Sequence, residues 1–129
     1  MDRRRLGPGQ APLLGPTDGW LELSDDELLF RIESLSDEHD SDLVLMEVVR
    51  SSRHFFVRQE AAKKIRDSDL LKAHAGDRHI GQILARVMTR TADVAYLQKL
   101  MTETKHLEVR KAAEAQLKII REQAKTTGR

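Results

Sequence analysis

The chain has 129 residues, 40% hydrophobic and 33% charged, with five aromatics, no cysteine and a formal net charge of +1. That length holds about one domain, whose core has to be built from Leu, Ile, Val, Met and Ala. The lack of cysteine excludes disulfides, thiolate nucleophiles and cysteine-ligated zinc, and no apolar run approaches the roughly 18 residues of a membrane span.

All three prolines and four of the seven glycines fall in residues 1–19, without periodicity, so residues 1–20 read as a flexible, disordered N-terminal arm. Arg3-Arg4-Arg5 precedes no apolar block of signal-peptide length, which points to a cytoplasmic chain. A first helix is expected over about 25–35. Ser24 and Glu27 have capping-box spacing, Leu23 and Leu28 suit a hydrophobic staple, and Leu28, Leu29, Ile32 and Leu35 form the apolar stripe. After a polar break at Ser36–Asp40, a second helix runs over about 41–52 with Leu45, Met46, Val48 and Val49 inward. A third covers about 55–66, with an extension to His74 left open, and buries Phe56, Val57, Ala61 and Ile65. Gly76 reads as a helix stop and Asp77 as the next cap. The fourth helix, about 78–89, carries Ile80, Ile83, Leu84, Val87 and Met88, with Gly81 inside it as either a close crossing or a tolerated glycine. The fifth covers about 92–103, starting at Thr91 or Asp93. The sixth covers about 107–123 with Val109, Ala113, Leu117 and Ile120 inward, and residues 126–129 are expected to fray.

Charge is unevenly spread. Residues 21–42 hold nine acids against Arg31, a net −8, whereas residues 43–129 hold 18 Lys and Arg against 10 acids, a net +8. Two readings follow: mutual neutralisation within one fold, or a basic surface for an anionic partner.

The third and sixth helices nearly repeat, without gaps, 52 residues apart. His54, Val57, Arg58 and Ala61 lie over His106, Val109, Arg110 and Ala113, and Ile65 over Leu117. Upstream, Leu45, Val48 and Val49 lie over Leu97, Leu100 and Met101. A repeated helix pair is the mark of a stacked helical array. The two patterns, Val57-Arg58-x-x-Ala61-x-x-x-Ile65 and Val109-Arg110-x-x-Ala113-x-x-x-Leu117, resemble the second helix of the HEAT-repeat family and of related armadillo-like α-solenoids. The resemblance covers about residues 41–123. It implies an all-α fold, a short right-handed HEAT-like array of about six helices occupying residues 21–125. Helices two and three would be one repeat, five and six another, residues 67–89 a degenerate middle unit with a short Ser68–His74 helix, and the first helix a cap. The turns Ser52-Arg53-His54 and Thr104-Lys105-His106 stand where the family carries Asp or Pro, which leaves a family-style Asp–Arg ladder open.

Little in the chain suggests chemistry. His39-Asp40 matches the dyad of metal-dependent phosphohydrolases but lacks a further ligand set and reads as a solvated turn. His74-x-x-Asp77-x-His79 straddles a helix stop and reads as helix-end groups rather than a zinc site. His54 and His106 recur at equivalent positions, which suggests a shared structural task such as capping. No phosphate loop, nucleophile elbow or H-E-x-x-H is present. The reading is therefore a non-enzymatic protein–protein interaction module or adaptor with no cofactor and no metal. Its contact groups are His54, Arg58, Lys63, His106, Arg110 and Lys111. The alternative is nucleic-acid backbone binding through the basic 43–129 body. Self-association through open array ends is a further option.

Overall fold

Six α-helices account for most of the chain in a computed structural model that describes residues 19–127. They are α1 (Asp25–Glu33), α2 (Asp42–Arg50), α3 (Phe55–Lys64), α4 (Arg78–Val87), α5 (Val94–Glu103) and α6 (Leu107–Thr127). A short 3-10 segment, Trp20–Glu22, precedes α1, two more, Ser68–His74 and Thr91–Asp93, lie between helices, and no strand occurs among the described residues. Residues 1–18 of the expected arm lie outside the described residues. Trp20, placed in that arm by its sequence neighbourhood, is instead a core residue, 2% exposed. The sixth helix runs through Thr127, past the start of the expected frayed tail.

The helix starts follow from local side-chain chemistry. Ser24 Oγ accepts the Glu27 N–H at 3.2 Å, while no return bond from the Glu27 carboxylate to Ser24 is made among the described residues, so only half of the capping box forms. At α4 the Asp77 carboxylate accepts the N–H groups of both His79 and Ile80, at 2.8 and 3.0 Å. Ahead of α5, Arg90 and Asp93 lock the entering turn: Asp93 accepts the Arg90 N–H at 3.0 Å and its guanidinium at 2.8 Å. The third helix stops at Ile65, whose backbone is extended, and does not continue to His74.

Packing falls into two sets. In one, α1 packs on α3, α3 on α4, and α4 on α6. In the other, α2 covers α3, the Ser68–His74 segment covers α4, and α5 covers α6. The 52-residue repeat persists in burial: Leu45 and Leu97, Val48 and Leu100, Val57 and Val109, Ala61 and Ala113, and Ile65 and Leu117 are all buried. Phe56 breaks the expected pattern. It is 48% exposed, because Val57 and Ala61, one helical turn apart, supply the inward stripe and rotate Phe56 outward. Gly81 is a close crossing: a Cβ there would meet the Ala75 carbonyl at 2.9 Å and Val109 Cγ2 at 3.0 Å. Gly76 has open space around it and a backbone outside the left-handed region, so it is no steric stop.

The acidic segment is stitched to the basic body. Arg53 Nη1 donates to Asp25 at 2.8 Å and its Nη2 to the Leu21 carbonyl at 3.0 Å. The Asp42 carboxylate accepts the N–H groups of Arg66 and Asp67 at 2.9 and 3.0 Å. His39 is buried and not a solvated turn residue. Its Nδ1 accepts the Ser41 N–H at 2.9 Å, which places the ring hydrogen on Nε2, and Nε2 donates to the Lys64 carbonyl at 2.7 Å. The ring thereby fastens the α1–α2 loop to the end of α3. No helix among the described residues is long and apolar enough to cross a membrane.

Candidate protein-docking groove

The six residues singled out from the repeat do not converge on one surface. Arg58 is spent inside the fold: Nε donates to the Val49 carbonyl at 2.7 Å and Nη2 to Asp77 at 2.8 Å. This joins the end of α2, the middle of α3 and the cap of α4. Burial pushes the Asp77 carboxyl up, but the Ile80 N–H, the Arg58 guanidinium and the His79 N–H together outweigh it and hold its pKa below the usual carboxylate value. An Asp–Arg bridge between α3 and the cap of α4 therefore exists, with its acid lying after the arginine rather than in the turn before it.

The two repeated histidines part ways. His54 caps α3, its Nδ1 accepting the Phe56 N–H at 3.1 Å. It also stacks on Phe55, which stacks in turn on His79 with ring centroids 4.2 Å apart. His106 instead bonds the Gly76 carbonyl through Nε2 at 3.1 Å, tying the start of α6 to the loop before α4. Lys63 pairs with Glu60 at 2.9 Å on its own helix. Arg110 and Lys111 are exposed and form no side-chain ion pair or hydrogen bond among the described residues.

Lys111 leads to a feature that the sequence did not single out. It lies on the rim of an open groove of about 540 Å³ between α4 and α6. The floor is Ala112, Ala115 and Ile119, and Gln82, Arg86 and Glu108 share the rim. Gln116 also lines the groove, 7% exposed as a residue; it makes no hydrogen bond to another described residue, and its amide stays open to solvent. The signal for the groove was present in part: Ala112, Ala115 and Ile119 form a shoulder beside the buried Val109–Ala113–Leu117 stripe. What sequence could not supply was α4 as the opposite wall.

No group of three or more His, Asp or Glu side chains that could hold a metal occurs among the described residues. In the His74–His79 stretch, Asp77 has both carboxylate oxygens engaged and the His79 ring is stacked on Phe55. Comparison with protein-family models, with curated proteins and with solved structures gives no match.

Proposed function

We propose that the chain is a short HEAT-like α-solenoid that serves as a non-enzymatic protein-interaction module or adaptor in the cytoplasm, with the α4–α6 groove as its docking surface. The succession α1, α3, α4, α6, with α2, the 3-10 segment and α5 laid over it, is the arrangement expected of stacked helix pairs with the Ser68–His74 unit in the middle. The observation that carries the functional reading is the groove itself: an apolar floor beneath a rim on which the charges of Arg86, Lys111 and Glu108 are uncommitted. These are the ingredients of a peptide or helix site, where apolar contact gives affinity and polar groups fix register. The nucleic-acid alternative has less to draw on than the net +8 suggests, because Arg53, Arg58, Lys64 and Arg66 are bonded within the fold.

Affinity capture from native lysate, with and without nuclease and at two salt concentrations, tests the reading. We expect a stoichiometric, nuclease-resistant protein that is lost with Ala115→Glu. Recovery that disappears with nuclease would replace this reading with the nucleic-acid one.

A further inference from the structure

We propose that the α4–α6 groove receives helix α1 of a second copy of this chain. The proposal rests on the groove being a protein-docking surface and names its occupant.

The complementary shape and charge lie on the same chain. Phe30, on α1, is 67% exposed, the most exposed aromatic among the described residues. Asp26 lies one turn before it and Glu33 one turn after it, on the same helix face. Both acids are exposed, and neither forms an ion pair among the described residues. The α1 face is thus a large apolar group between two uncommitted carboxylates. The groove is its counterpart: an apolar floor at Ala115 and Ile119, with uncommitted Arg86 and Lys111 on a rim that carries one acid, Glu108, against these two cations. An aromatic ring set over an alanine-lined floor buries apolar area on both sides, and such residues dominate interface energetics. The flanking carboxylates would then face the two cations, which steers the encounter and fixes register. The same division, an acidic first helix and a basic body, is what makes the chain complementary to itself. The contact joins two different surfaces, so each copy offers one donor face and one acceptor groove.

Sedimentation velocity of the purified full chain from micromolar to millimolar concentration, at low and high salt, provides the test. The expected result is a mass that rises with concentration at low salt and falls back as salt screens the pairs. Phe30→Ala should raise the dissociation constant by about tenfold or more. Glu33→Arg and Lys111→Glu, both at exposed positions, should each abolish association alone, since each sets like charges across the contact. An equimolar mixture of these two variants should associate again, because every contact in the mixture can then pair opposite charges. A strictly monomeric wild-type chain at all concentrations overturns the proposal, as does association that ignores the charge reversals or is not restored in the mixture. Those outcomes leave the docking reading standing if lysate capture still depends on Ala115. A partner protein captured through Phe30 by a monomeric chain would assign that face to another occupant and also overturn the proposal.

Discussion

Asp77 does two jobs at one carboxylate, capping α4 and pairing with Arg58, and its ionised form is the one the fold stabilises. Asp93 behaves likewise: hydrogen bonding from Arg90 pulls its pKa down against burial. A carboxylate whose folded pKa is depressed contributes stability that is fully present above the unfolded value of about 4 and is lost as pH falls through the folded value. Acid should therefore destabilise the chain. Asp77→Asn should cost about 1–3 kcal/mol at neutral pH, and the gap to wild type should shrink as pH drops below about 4. Chemical denaturation at neutral pH and at about pH 3 measures both, and a gap that stays constant would remove the charged cap from the account. Asp77 shows how far single residues could be read in advance. Its capping role was visible beside Gly76, because the cap is local in sequence. Its bond to Arg58, 19 positions away, was not, because only folding brings α3 against α4. The same gap explains why Arg58 looked available for a partner.

At the level of helices, boundaries and inward faces were legible because apolar spacing and caps are local. A short Ser68–His74 helix was expected from the family resemblance, and a 3-10 segment occupies those residues. The misjudged positions depended on neighbours. Trp20 was assigned to the arm by the Pro- and Gly-rich segment before it, yet an indole finds apolar cover that no local pattern announces. Gly81 was ambiguous for the same reason, and its neighbours Ala75 and Val109 decide it. Gly81→Ala is an instructive case because two effects oppose. Ala gains about 1 kcal/mol in helix propensity, but its Cβ would press on a backbone carbonyl and on Val109. Overpacking against backbone should win, leaving a net loss of about 1–3 kcal/mol. Adding Val109→Ala should recover part of the clash at the cost of a small cavity. A Gly81→Ala variant that melts at or above wild type would mean that α4 and α6 do not cross as closely as described.

For the molecule as a whole, the consequence of the packing order is cooperativity. Trp20 belongs to the 3-10 segment before α1 and lies in the same continuous core as Ile120 on α6. As the chain's single tryptophan it reports from one end of the fold, whereas far-UV circular dichroism reports on all helices. The two signals should change together on heating, as for a single cooperative unit. Fluorescence that changes well before the helical signal would mean that the N-terminal cap opens alone. The groove belongs to this scale as well. Its α6 wall was legible as a stripe, but its existence depends on α4, which brings Gln82 and Arg86 against that wall only once the chain is folded.

The central claim, that the α4–α6 groove is where a partner docks, is tested most directly by hydrogen–deuterium exchange of the chain alone and saturated with its captured partner. The account predicts added protection concentrated in α4 and α6, at residues around Arg86 and 108–119, with α2 unchanged. Protection confined to α2 and α3, or none at α6, would contradict it.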